Sequence, residues 1–216
     1  MRIPVLLLVA ALGGCAAGTD AIVQTMRTAV GREPSVADRA RLNPDFRYLR
    51  VTIEGRVALL ALGYVDPHPQ GSIEVWYSGE REVVRLQNGR LVGTTGLTTE
   101  WREVSLPALP DWVTLGRSDA PLRWVRTRDV MPGYRYGVRD ALELRVTPPP
   151  AKSQLQGLEA KDLVWFEERF EGEARAALPV ARYAVKLHDG DALVVYGEQC
   201  VAPKTCFTWQ RWPAGS

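Results

Sequence analysis

The sequence predicts an all-β fold, a large meandering antiparallel sheet curled into a barrel- or sandwich-like domain, with short helices at its N-terminus. Three observations lead there. From Phe46 onward apolar residues recur at every second position. Asn88-Gly89 and Asp189-Gly190 each separate two alternating segments, and residues 134–146 hold an alternation long enough for a strand of a large sheet.

The chain begins differently. Residues 5–15 read "VLLLVAALGGC", an apolar run behind the single charge of Arg2. A core helix of that length would keep a polar face, and a membrane span needs roughly 18 to 20 apolar residues, so the run reads as the core of a signal peptide. Leu12-Gly13-Gly14-Cys15 resembles a bacterial lipobox, in which two small residues precede a cysteine that is acylated and becomes the first residue; an ordinary small-residue cleavage site is the alternative. Acyl chains contribute about 0.8 kcal/mol per buried CH2, so two or more on Cys15 would anchor the protein firmly without embedding it. Ala16 follows the cysteine. By resemblance to lipoprotein sorting signals, the lack of Asp there points to the outer membrane. The expected division is therefore a signal peptide at 1–14, an anchor with a short helical segment at 15–44, and one β-rich periplasmic domain at 45–216.

Within the anchor segment, Asp20 can cap "AIVQTMRTAVG", with Gly31 where a helix would stop, and Ser35 can start a second helix that Asn43-Pro44 ends. Strands follow. Leu49, Val51 and Ile53 share one face and Tyr48, Arg50, Thr52 and Glu54 the other, the pattern of a half-buried strand. "VALLALGYV" is apolar enough to be covered on both sides, and "SIEVWYS" makes a third strand. Asn-Gly readily adopts the positive φ angles of a two-residue type I′ turn, so residues 81–96 form a hairpin. "PALPDW" at 107–112 breaks the pattern, and strands resume near Leu122. From Tyr134 to Val146, Tyr134, Tyr136, Val138, Leu142, Leu144 and Val146 lie on one side. Arg135, Arg139, Glu143 and Arg145 lie on the other, with Asp140 the one exception. Pro148 to Pro150 force an extended link. "DLVWFEERF" reads as a strand from its aromatics, and a last hairpin pairs "RYAVKLH" with "ALVVYGE".

A formal charge of +2 excludes a general attraction for polyanions of the nucleic-acid type. Cys200 and Cys206 flank "VAPKT" in a compartment where disulfides persist, which predicts a bridge worth only about 2 kcal/mol because the loop is short. Their spacing is neither that of a redox C-x-x-C nor, without a nearby His, that of a zinc site. No nucleophile elbow, H-E-x-x-H, phosphate loop or dinucleotide fingerprint occurs, and no cofactor is called for. His68 and His188 read as turn residues. Glu74, Glu80, Glu100 and Asp111 could supply a glycosidase pair, yet a chain with 25 acidic residues always offers such pairs.

"RWVRTRDVMPGYRYGVR" at 123–139 carries more information. Arginine forks grip carboxylates and aromatic faces stack on sugars, so this interleaving suits an acidic polysaccharide. The alternative is a face of exposed arginines over buried aromatics, which the phase of Tyr134 and Tyr136 with Val138 and Leu142 favours. Trp76 and Trp101 present the same choice. The candidate glycan or partner contacts are Trp76, Trp101, Trp124, Arg126, Arg128 and Arg135.

Residues 47–97 resemble the YjbF/GfcB family, the lipoproteins of group 4 capsule and exopolysaccharide systems. The resemblance rests on the aromatic-rich first strand, Gly63-Tyr64 after an apolar strand, Glu74 and Trp76 in "IEVWYS", and "NGRLVGTTGL". Beyond them the chain departs: residues 181–186 read "ARYAVK" where the family has Tyr-Trp-Val-Asp, and the cysteine pair and the Trp209/Trp212 ending are its own. The resemblance implies an all-β outer-membrane lipoprotein facing the periplasm and no catalytic residues. It also implies partnership with an outer-membrane β-barrel of a polysaccharide secretion system, a further periplasmic protein and an acidic polysaccharide. A periplasmic polysaccharide-modifying hydrolase and a structural envelope protein with protein partners only are the alternatives.

Overall fold

The computed structural model describes residues 40–171 and 178–214. Cys15, the signal peptide and almost all of the two expected N-terminal helices lie outside them; the last positions of the second, Ala40 to Leu42, are not helical.

Twelve strands follow one another as an uninterrupted meander. They are β1 (Tyr48–Ile53), β2 (Arg56–Asp66), β3 (Ile73–Tyr77), β4 (Val83–Gln87), β5 (Arg90–Thr95), β6 (Glu100–Ser105), β7 (Leu122–Met131), β8 (Arg135–Thr147), β9 (Val164–Phe170), β10 (Ala181–His188), β11 (Asp191–Ala202) and β12 (Thr205–Trp212). All neighbours are antiparallel, in the order β5-β4-β3-β2-β1-β12-β11-β10-β9-β8-β7-β6. The first and last strands therefore pair in the middle of the sheet, and β5 and β6, joined by a short loop, are its two edges. Those edges meet. The Trp101 backbone N–H donates to Thr94 Oγ1 at 3.0 Å and an Arg85 Nη2 donates to the Arg102 carbonyl at 2.6 Å, so side chains stitch a seam where no strand ladder forms. The result is a nearly closed barrel, the first of the two forms the sequence left open.

Every strand sends side chains into one apolar core, from Leu49 on β1 through Trp76, Leu86, Trp101, Phe166 and Val185 to Trp209 on β12. Large side chains, Trp76, Trp101 and Trp209 among them, fill the interior of this twelve-stranded barrel. The expected hairpins form, with Asn88, Gly89, Asp189 and Gly190 all at positive φ. "DLVWFEERF" is a strand, β9.

The structure also corrects the sequence reading. β1 is buried on both faces: Tyr48, Arg50 and Thr52 are buried as well as Leu49 and Val51. The cause is the chain just before it. Ala40, Leu42 and Trp212 pack on Val57 and Leu59 outside the main core, and the backbone N–H of Asn43 donates to the Tyr48 hydroxyl. A second outer patch of Leu163, Trp165, Val195 and Tyr196 is covered by residues 155–160, and the Gln154 and Gln156 N–H groups bind Tyr196 and Gln210. "VALLALGYV" is enclosed only in its first part, since Gly63 to Asp66 are exposed. The 190 turn is not the last hairpin, because β12 follows and folds back on β11. Cys200 and Cys206 face each other across that pair and are disulfide-bonded, their Cα atoms 3.9 Å apart. "PALPDW" ends in a one-turn helix, α1 (Trp112–Gly116), whose first turn Asp111 caps by accepting from the Thr114 N–H at 2.7 Å.

Candidate functional site

Alternation decides where the arginines of β7 point. Trp124, Arg126, Arg128 and Val130 are two residues apart and all face inward, while Arg123 and Val125 face out. Arg126 and Arg128 are only 3% and 6% exposed. Two such charges need acceptors, and β8 and β9 bring them. Arg128 grips Asp140 with both arms of its fork, Nε to Oδ2 at 2.6 Å and Nη2 to Oδ1 at 3.1 Å. Arg126 donates from Nε to the same Oδ2 at 3.0 Å and from Nη1 to Glu168 Oε1 at 3.3 Å. Both guanidinium groups lie over the Trp101 ring, at 4.5 and 5.1 Å from its centre, and the Trp101 indole N–H is tied to the Val201 carbonyl. Asp140, the exception in the β8 alternation, is the acid at the centre of this network.

Thus the arginine-aromatic candidates separate. Trp76, Trp101 and Trp124 are core side chains, and Arg126 and Arg128 are interior counterions, so none of the five can meet a glycan on the barrel surface. The alternative of exposed arginines over buried aromatics holds for Arg123, Arg135, Arg139 and Trp124 but fails for the rest: Arg126 and Arg128 are inside, and Tyr134 and Tyr136 are 71% and 67% exposed. An extra residue between Arg135 and Val138 breaks the phase of the tyrosines with Leu142, and they lie beyond the end of the core. Arg135 stands exposed with them at the tip of the β7–β8 hairpin.

At the opposite end of the barrel is a cleft of about 640 Å³. The 88–89 turn, the segment from Leu106 to Val113, the 190 turn and the start of β3 enclose it. Arg90, the first residue of β5, lines it from the interior side and is 4% exposed. Its guanidinium carbon lies over the Trp112 ring, 3.9 Å from the ring centre, and the Trp112 indole N–H donates to the Asn88 carbonyl at 2.8 Å. Arg90 Nε and Nη2 make no hydrogen bond. Burial lowers the Arg90 pKa, opposed by nearby Tyr183 and Glu168. Burial likewise raises the Glu168 pKa against the pull of Arg126 and Arg90, and only one of its oxygens is partnered. Nothing in "NGRLVG" announces Arg90. The signal for Asp140 was present as a carboxylate on an apolar phase.

The acids proposed for a glycosidase have other roles or stand apart. Glu74 binds Arg211 at 2.8 Å, Glu100 accepts from the Gly96 N–H at 2.6 Å, and Asp111 caps α1, which lowers its pKa. His68 accepts from the Gln70 N–H, and His188 pairs with its exposed neighbour Asp189. Among the described residues no cluster of His, Cys, Asp and Glu is placed to hold a metal, and no helix is long and apolar enough to cross a membrane.

Residues 33–206 match the family model of the group 4 capsule polysaccharide lipoprotein GfcB, YjbF. The chain belongs to this family. The resemblance read from residues 47–97 therefore extends through β11, across the strands where the sequence departed from it. No curated protein matches the YjbF/GfcB chain described here. Among solved structures it is similar to the hypothetical lipoprotein YmcC from Escherichia coli (K12), with a TM-score of 0.53 over 79% of this chain and 84% of that one. At 18% identity the likeness shows a shared fold.

Proposed function

We propose that this YjbF/GfcB lipoprotein is anchored through Cys15 in the outer membrane of a Gram-negative envelope. There it assists export or assembly of a capsule or exopolysaccharide as a non-catalytic partner of a secretion β-barrel. One observation supports this reading above the others: the barrel interior is closed. Trp101, Arg126, Arg128, Asp140 and Glu168 fill it with a packed ionic network, so the domain cannot itself conduct a polymer, and what it contributes must come from its outer surface and its ends. The same network speaks against the hydrolase alternative. Asp140 has both oxygens engaged by two arginines, and Glu168, which keeps one oxygen free, is buried in the core at 3% exposure, where a polymer substrate does not reach it.

Purification of the lipid-modified protein from its native envelope in mild detergent tests the proposal. Recovery of an outer-membrane barrel protein in stoichiometric amount is the expected result. Recovery of the lipoprotein alone, together with unchanged polysaccharide export in a strain lacking it, would refute the accessory role.

A further inference from the structure

The residues the structure describes begin on the outer face of the barrel around β1 and β2. Ala40 and Leu42 lie there, packed with Trp212 against Val57 and Leu59. Register carries the same face across four strands: Trp212 on β12 pairs with Tyr48, Tyr48 with Ala61, and Ala61 with Tyr77 on β3. These side chains point away from the core, because their chain neighbours Leu49, Leu62 and Trp76 point into it.

Two irregularities bring aromatic rings to this face. β2 carries a bulge between Leu62 and Tyr64. Ala58, Leu60 and Leu62 face the core, so unbroken alternation would send Tyr64 inward as well; the bulge pairs it with Val75 and turns it outward. Gly63 lies within the bulge, and a Cβ there would be 2.5 Å from the Tyr77 ring, so Tyr77 rests against bare backbone. Tyr64 and Tyr77 have ring centres 6.4 Å apart, and Phe46 adjoins Tyr48 at 6.5 Å. Phe46, Tyr64 and Tyr77 are exposed. Tyrosine, with an apolar ring and a polar tip, settles at the boundary between hydrocarbon and water.

The chain preceding this face says which surface it meets. Ala40 lies 25 positions after Cys15, an extended reach of at most about 90 Å. Tethering on that scale supplies an effective concentration on the order of millimolar, so a weak apolar contact is enough to hold the face down. We propose that the outer face of β1 to β3 rests on the phospholipid surface that holds the anchor, with Phe46, Tyr64 and Tyr77 at the level of the headgroups. The inference rests on acylation of Cys15, as proposed above. β8 is six places from β2 in the strand order, across the barrel, so this orientation directs Arg135 and Tyr136 away from the membrane.

Thiol labelling of the lipid-modified protein, bound to the outside of phosphatidylethanolamine–phosphatidylglycerol vesicles, tests the proposal. With Cys15 acylated and Cys200 bonded to Cys206, the thiol introduced by Tyr64→Cys or Tyr136→Cys is the only free one. Rates with a charged, membrane-impermeant maleimide are compared with those of the same variants made without acyl chains and kept free of vesicles. Y64C should be slowed about threefold or more on vesicles, and Y136C should be unchanged. Phe46→Ser with Tyr77→Ser, added to Y64C, should restore the faster rate with the circular dichroism spectrum kept. Should that variant fail to fold, the comparison of Y64C with Y136C decides alone. Unslowed labelling of Y64C, or equal slowing of both positions, would overturn the inference. Slowing of Y64C by a soluble oligosaccharide without lipid would make the face a glycan platform and overturn it as well. Protein that does not sediment with the vesicles refutes the anchor and the inference together; protein that sediments yet labels alike at both positions refutes the inference and leaves the anchor standing.

Discussion

Arg128 holds Asp140 by both carboxylate oxygens inside a barrel core, with Nε–Oδ2 at 2.6 Å and Nη2–Oδ1 at 3.1 Å. Removing one member of a buried pair leaves the other charged and unsolvated, and here Asp140 serves two arginines at once. Asp140→Ala should therefore destabilise the domain by about 3–5 kcal/mol in urea unfolding, or prevent folding altogether. Arg128→Lys keeps the charge but not the fork and should cost less, about 1–3 kcal/mol. A loss below about 1 kcal/mol for D140A would mean that the network is dispensable.

The surface arginine behaves differently. Arg135 and the exposed rings of Tyr134 and Tyr136 bury little, so Arg135→Ala and Tyr136→Ser should leave the melting temperature nearly unchanged, within about 0.5 kcal/mol. Arg126→Ala should unfold the protein. An export defect in R126A would thus report lost folding, whereas one in R135A would report a lost contact.

Glu168 makes stability depend on pH in an uncommon direction for a carboxylate. Burial raises its pKa above the ordinary 4.5, so the folded state holds the proton more tightly than the unfolded chain. Its stabilising effect is present in full below the unfolded pKa and is lost as pH rises through the folded one. The stability of the wild type relative to Glu168→Gln should fall as pH increases from about 4.5, by at most roughly 1.4 kcal/mol per pH unit. Melting curves of both proteins across that window decide it; a difference that grows with pH would contradict the burial argument.

Gly197 sits opposite Trp209 in the β11–β12 ladder, and a Cβ there would lie 2.5 Å from the indole ring. Trp209 is fully buried and cannot swing away. Gly197→Ala should cost about 1–3 kcal/mol from overpacking, measured by chemical denaturation. A neutral outcome would show that the ring has room to shift.

Reduction of the Cys200–Cys206 bridge should have a modest effect, about 2 kcal/mol, because the two residues are already register partners in adjacent strands. Hydrogen exchange should quicken mainly at the β11–β12 turn. Loss of protection throughout the sheet would assign the bridge a global role.

The sequence by itself determined the all-β class, the two glycine turns and the long β8 alternation. These depend on local rules, φ preferences at Asn88-Gly89 and Asp189-Gly190 and a two-residue period, that act between near neighbours. It also carried the family, in landmarks that lie within one half of the chain. β12 remained illegible because "TCFTWQRW" mixes polar and aromatic residues, and its burial comes from β1, distant in the chain. Alternation puts Arg126 and Arg128 on the face of Trp124, and tertiary structure decided that this face is the inner one. An arginine in phase with Trp124 is costly inside unless an acid meets it, and Asp140 and Glu168 arrive from two other strands. Arg90, near Glu168, is also buried only by the closing of the barrel, and the loops around residues 106–113 and 190 turn the space beside it into a cleft.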